Sequence, residues 1–222
     1  SGKELYTRII DLPNRRLVPM AETDDEGDGH GVVVYEPSSH SSYVLLFDYN
    51  GNLLWSRQIL DCVSKDICWV SAGASGGPEL VVVGEHASGY TNINHFIVAS
   101  GLPTMEYLQP GPGIGGSQTF GYCIVNFDPG PNGYYKVVAT DGGNTVYVST
   151  FLNNGNYQNT IENIVIGSNI VSPFSIERHT QGMMVMSGSS NDPDGQHMYM
   201  AYLNDHGEIQ WNRFSPENNT GS

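Results

Sequence analysis

Apolar and polar positions along this chain alternate as short apolar runs punctuated by glycine, asparagine and proline. Two stretches echo each other: Phe47–Trp55, "FDYNGNLLW", and Leu203–Trp211, "LNDHGEIQW". Each passes from apolar residues through a polar tip and a glycine into a short segment that closes on tryptophan. Aligned on that glycine, Gly51, Gly101, Gly155 and Gly207 stand 50, 54 and 52 residues apart. Ahead of each lies an apolar run: "SYVLLFDYNG", "NHFIVASG", "VYVSTFLNNG" and "HMYMAYLNDHG". Behind each lies another: "NLLWSRQIL", "LPTMEYLQP", "NYQNTIENIVIG" and "EIQWNRFSP". Two more segments precede every glycine, for example "RRLVPMAE" and "GVVVYE" in the first repeat and "VSPFSIER" and "GMMVMSG" in the last.

Four strand-like segments thus recur four times with a period of about 52 residues. A fixed period in this range predicts a repeat architecture, and four strands per repeat is the blade of a β-propeller. The two central segments of each repeat are continuously apolar, as expected of strands covered on both faces. The sequence therefore predicts an all-β, β-propeller-like fold of about four four-stranded antiparallel blades. One domain spans 1–222, with blades at 13–61, 62–110, 111–167 and 168–222, preceded by an extra outer strand at 1–12. Gly51 and Gly207 are expected at tight hairpin tips, where glycine accepts a positive φ. Trp55 and Trp211 are expected to cover the edge of their own blade, with Tyr107 doing similar work in a looser hairpin.

The extra strand, "ELYTRIID", aligns Tyr6 with Trp55 and Trp211, and Arg8 with Arg57 and Arg213. It has no blade of its own. Three explanations stand: the chain is part of a larger ring, the segment closes a ring of four or five blades, or it pairs with another subunit. In the last case Leu5, Tyr6, Arg8, Ile9 and Ile10 form an assembly strand, because an unpaired edge invites strand addition.

The pattern "YVxxFDxxGNLLWSR", Tyr43 to Arg57, resembles the β-propeller repeats of secreted bacterial proteins of the seven-bladed-propeller type, and less closely quinoprotein-like repeats. The resemblance is strongest in the first and last repeats. The longer tryptophan-docking signature of the quinone enzymes is absent, so neither that cofactor nor dehydrogenase activity is implied. What the resemblance implies is the fold, an extracellular or cell-surface setting and a binding or scaffolding role.

Composition narrows the partners. Nine Lys+Arg face 23 Asp+Glu, a formal charge of −14, which argues against nucleic acid and for cation binding. No apolar run approaches the roughly 20 residues of a membrane span. The scarcity of lysine and the sequon at Asn218 lean towards an exported protein. Cys62 and Cys68 could close a small disulfide loop with Cys123 left alone, or all three could be buried thiols.

Several motifs suggest chemistry. "DDEGDG" places Asp24, Glu26 and Asp28 at alternate positions before a glycine, an oxygen-rich turn suited to Ca²⁺, although a strand follows where a calcium-binding hand needs its twelfth ligand. "SNDPDG", with Asp192 and Asp194, is a weaker variant. "GASGG" matches a nucleophile elbow around Ser75, but a strand follows where a helix is required. "GPGIGG", at 111–116, lacks the βαβ context of a dinucleotide loop and reads as a connection between blades. Glu85, His86 and His95 could face one another across a hairpin. Tyr49, Tyr90 and Tyr157 fall near turns, where they could stack on a sugar.

These readings favour a non-catalytic extracellular interaction or structural module, self-assembling into an oligomer or filament through terminal strand exchange. A lectin-like, carbohydrate- or ligand-binding propeller is the alternative. A hydrolase or lyase with its site on the propeller axis is the third. No cofactor is expected beyond Ca²⁺ at the acidic turn, and the partners are the chain itself, another protein or glycans.

Overall fold

The computed structural model describes residues 17–25, 29–109, 120–127, 132–166, 170–179, 182–192 and 195–215. Apart from a 3₁₀ position at Gly182, all the described regular structure is strand. The first sheet pairs β1 (Val18–Asp25), β2 (Gly29–Glu36), β3 (Ser41–Phe47) and β4 (Leu53–Ile59) in that order. The second pairs β5 (Cys62–Val70), β6 (Glu79–His86), β7 (Thr91–Ile97) and β8 (Pro103–Gln109). The third holds β9 (Phe120–Asn126), β10 (Tyr134–Thr140), β11 (Thr145–Leu152) and β12 (Tyr157–Ile164). The fourth holds β13 (Ile170–Arg178), β14 (Met184–Asp192), β15 (Gly195–Leu203) and β16 (Ile209–Phe214). Every neighbouring pair is antiparallel and consecutive in sequence, the four-stranded blade that the 52-residue period predicts.

The blades stack in chain order through their innermost strands: β1 lies against β5, β5 against β9 and β9 against β13. Each junction holds one apolar core. Val33, Val44, Leu46 and Trp55 of the first blade meet Leu80, Val82, Phe96 and Val98 of the second. Val81, Val83 and Ile93 meet Tyr135, Val137 and Phe151 at the next junction. Val138, Val146 and Val148 meet Met184, Met186 and Leu203 at the third. This two-sided packing is why the central strands are apolar at successive positions rather than alternating. Among the described residues, no fourth core joins the last blade to the first.

Two irregularities recur in every blade. Each innermost strand carries a bulge, centred on Met20, Lys65, Tyr122 and Phe174. Each outermost strand carries another, at Leu54, Thr104, Gln158 and Gln210. A bulge moves every later side chain to the opposite face of the sheet. The cysteines show the effect. Cys62 and Cys68 share β5, but the bulge at Lys65 separates them. Cys62 joins the core between the first and second blades and Cys68 the core between the second and third. No disulfide loop closes: all three cysteines are free and buried. Burial pushes the Cys62 thiol up to about 12, which makes it a poor nucleophile.

The extra N-terminal strand, with Leu5, Tyr6, Arg8, Ile9 and Ile10, lies outside the described residues.

Candidate interaction surface

The outer-strand bulge determines where the tryptophans point. Trp55 lies opposite Leu46, directly after the bulge at Leu54, and this turns its ring towards the next blade. It does not cover the edge of its own blade, as the hairpin pattern alone predicts. Its Nε1 donates a 2.7 Å hydrogen bond to the Val98 carbonyl, across the junction. Two residues on, Arg57 donates from Nε to the Gly101 carbonyl and from Nη2 to the Ser100 carbonyl, at 2.7 and 2.8 Å. The first blade therefore grips the second by the glycine-containing turn between β7 and β8. The fit needs glycine: at Gly101 φ is +65°, and a Cβ would stand 2.6 Å from the Trp55 ring.

The same post-bulge position is Met105 in the second blade, Asn159 in the third and Trp211 in the fourth. Met105 presses on the turn at Gly155, where a Cβ would come within 2.4 Å of its thioether. Tyr107 adds an edge-to-face contact with Phe151, with ring centroids 5.5 Å apart. At the third junction the turn is held differently: Asn163 donates from Nδ2 to the Gly207 carbonyl and accepts from the Ile209 amide, both at 2.9 Å.

Trp211 and Arg213 repeat the geometry of Trp55 and Arg57, with Trp211 opposite Tyr202 after the bulge at Gln210. Trp211 stacks on Tyr202, with centroids 5.8 Å apart and planes 11° from parallel, and Arg213 lies over the Trp211 ring. No described turn sits beneath this clamp. Position by position, the first blade's sealed face of Met20, Val33, Val44, Leu46 and Trp55 becomes Phe174, Ser187, Met200, Tyr202 and Trp211 on the last. Val44 and Leu46 are fully buried, whereas Phe174 is 62% and Met200 48% exposed. Met198 extends the same apolar patch. Contiguous exposed apolar surface of this kind marks interaction sites.

The other sequence-derived candidates do not gather. Asp24 lies on β1 opposite His30, while Glu26 and Asp28 are outside the described residues. Asp192 closes the β14–β15 hairpin opposite Gly195, and Asp194 lies outside the description, as does the 111–116 loop. Ser75 sits in an exposed turn closed by the Gly76 amide on the Gly73 carbonyl, and a strand follows it. Glu85, His86 and His95 do not face one another: the β6–β7 register pairs Glu85 with Thr91 and His95 with Val81. His86 instead meets the Ser88 hydroxyl at 2.6 Å. Tyr49, Tyr90 and Tyr157 stand on three different blades. Among the described residues no three His, Cys, Asp or Glu side chains cluster as a metal site would require.

Two buried polar groups take roles that the sequence reading did not assign. His95 Nδ1 meets Glu79 Oε2 at 2.9 Å, and its Nε2 meets the Tyr135 hydroxyl of the next blade, also at 2.9 Å. Burial pushes the Glu79 carboxyl up, but hydrogen bonds from His95 and Ser75 outweigh it and hold the group near 2. With Glu79 ionised and acceptor-only, Nδ1 is the donor in that pair. The relay ties the second blade to the third inside the core rather than lining a cleft. Lys136 is the other. Its signal was a lone lysine inside the apolar run "YYKVVATD".

No protein family and no curated protein matches the sequence. Solved structures do. A protein of unknown function from Bacteroides caccae aligns with a TM-score of 0.60 at 12% identity, over 93% of this chain and 70% of its own. The Dos1 propeller aligns at 0.55 and 13% identity, over 89% of this chain and 47% of its own. A GH43 glycoside hydrolase, engineered to display both endo-xylanase and exo-arabinofuranosidase activity, aligns at 0.51 and 9% identity. The match covers 89% of this chain and 39% of the hydrolase. The chain thus spans less than half of the last two proteins. Similarity at such identities is one of fold, and the fold is an all-β, propeller-like array of four-stranded antiparallel blades.

Proposed function

We propose that this chain is a non-catalytic interaction or structural module, working outside the cell or at its surface, that associates head to tail through the open face of its last blade. The observation that carries the reading is the Trp211–Arg213 clamp, which repeats the Trp55–Arg57 clamp without a described turn to hold. The first blade offers the complementary feature. Phe47, last in β3, stands where Phe96 receives Trp55, and Gly51 has a φ of +76°, close to the +65° of Gly101. A clamp at one end and a receiving hairpin at the other make a heterologous interface, which generates rings or filaments. The acidic balance, the scarce lysine and the sequon at Asn218 support the extracellular setting. The segment with Leu5, Tyr6, Arg8, Ile9 and Ile10 carries the same aromatic–x–arginine spacing as the two clamps. It is the candidate for strand exchange at the receiving end.

Sedimentation velocity tests the reading. Trp211→Ser removes the clamp and keeps the hairpin; Phe47→Lys spoils the hairpin side and keeps the clamp. Each variant alone should be monomeric where the parent chain associates, and an equimolar mixture should form a complex of two chains and no larger. A parent chain that stays monomeric at all concentrations contradicts self-association. A mixture that stays monomeric contradicts the head-to-tail arrangement.

A further inference from the structure

The third blade junction departs from the other two, and the departure leaves a cavity. Trp55 and Met105 fill the space over the facing turn at the first two junctions. The equivalent residue at the third is Asn159, opposite Thr150. Here Val148 covers Gly207 itself, and beside the short polar side chain of Asn159 about 240 Å³ stays open between the third blade and the Asn204–Gly207 turn. Tyr134, Lys136, Thr150, Leu152, Asn159, Asp205 and His206 line this space, with His206 Nε2 3.8 Å from Asp205 Oδ1.

Lys136 is the unusual member. The residue is only 2% exposed. Its Nζ donates one 2.8 Å hydrogen bond, to Thr150 Oγ1, and lies over the rings of Phe127 and Tyr134 at 5.8 and 5.4 Å. An ammonium has three N–H donors, and aromatic faces only partly replace water around the others. Among the described residues no carboxylate comes within ion-pair distance: Asp205, across the cavity, acts on the amine only at longer range. A buried cation without a partner is costly. One beside an open cavity is a ready site for a ligand carboxylate.

We propose that the cavity between the third and fourth blades binds a small polyhydroxylated carboxylate, of the hexuronate class. The carboxylate takes the free donors of Lys136. Asn159 and Asp205 are placed at the walls to bond hydroxyls, and Leu152 offers an apolar wall. A dianionic phosphate fits less well, because Asp205 opposes it and the whole chain is strongly acidic. A neutral sugar leaves the ammonium unpaired. A plain carboxylate such as acetate leaves the polar wall unpaired. Because the site spans two blades, a bound ligand also ties them together and raises the unfolding temperature. The site is independent of self-association and survives if that reading fails.

The experiment is titration of the whole chain with glucuronate and galacturonate, read by calorimetry and by the shift in unfolding temperature, with glucose and acetate as controls. Saturable uronate binding is expected, with both controls weaker by about tenfold or more, the scale of one lost charge-assisted bond. Lys136→Met should abolish uronate binding. Asn159→Met, which refills the junction as Met105 does and leaves the lysine in place, should abolish it too while raising the unfolding temperature of the free protein. If Lys136→Met does not fold, Asn159→Met alone decides. No heat and no shift with either uronate, equal binding of glucose, or uronate binding that survives Asn159→Met overturns the proposal.

Discussion

Trp55 and Trp211 occupy the same register position in the first and last blades, each one residue after an outer-strand bulge, yet Trp55 is 9% exposed and Trp211 44%. The difference lies not in the residues or their blades but in what each faces. Trp55→Ala should therefore cost about 3–5 kcal/mol of stability, the range for removing a buried large aromatic. Trp211→Ala should cost the isolated chain under about 1 kcal/mol. Urea unfolding of both variants below the association threshold gives the comparison.

The turn under Trp55 should be as sensitive as the ring. Gly101→Ala adds a Cβ 2.6 Å from the indole at a φ of +65°. Left-handed strain alone costs about 1–2 kcal/mol for a residue with a Cβ, and the displaced indole raises the loss to about 2–4 kcal/mol. Thermal unfolding of Gly101→Ala beside Gly76→Ala separates the two terms. Gly76 has a φ of +81° but open space around its missing Cβ, so it should show the strain alone.

Much of this architecture was legible in the chain. The glycine spacing identified every hairpin between the third and fourth strands, and apolar runs located the central strands of each blade. The faces were not legible. A single inserted residue at Leu54 turns Trp55 towards the next blade, the one at Gln210 turns Trp211 to the corresponding face, and pattern alone gives no sign of either. The bulge at Lys65 likewise sends Cys62 and Cys68 into different cores, defeating a disulfide that their spacing allowed. The cavity was hidden for a related reason. Asn159 is unremarkable until the register shows it standing where Trp55 and Met105 fill a junction.

The Glu79–His95 pair makes acid stability depend on one carboxyl. Its folded value near 2 lies below the usual 4.5. The unfolded chain therefore binds a proton between those values that the folded chain does not, and the contribution is complete above 4.5 and lost as pH falls towards 2. The stability difference between the parent chain and Glu79→Gln should be constant from pH 7 to 5 and shrink below that. Chemical denaturation at a series of pH values measures it, and a difference that grows on acidification contradicts the assignment.

Lys136 behaves in the opposite direction. Burial lowers its ammonium from 10.5 to about 8, against a smaller upward pull from Asp205. The unfolded chain holds its proton to higher pH, so this residue's share of stability rises as pH climbs from 8 to 10.5. Relative to Lys136→Met, the parent chain should gain stability over that window. At pH 7 the methionine variant should equal or exceed the parent in the absence of ligand, since a well-packed apolar replacement of a buried charge is often neutral or stabilising.

The central claim is that the face bearing Phe174, Met198, Met200 and Trp211 is the surface at which the chain joins a partner copy. Hydroxyl-radical footprinting read by mass spectrometry tests it most directly, with the fully buried Met184 and Met186 as internal references. In dilute solution the four face residues should oxidise readily while the references stay silent. As concentration rises into the range where the chain associates, all four should become protected together. Association without protection of Trp211 and Met198, or oxidation unchanged at every concentration, would contradict the account.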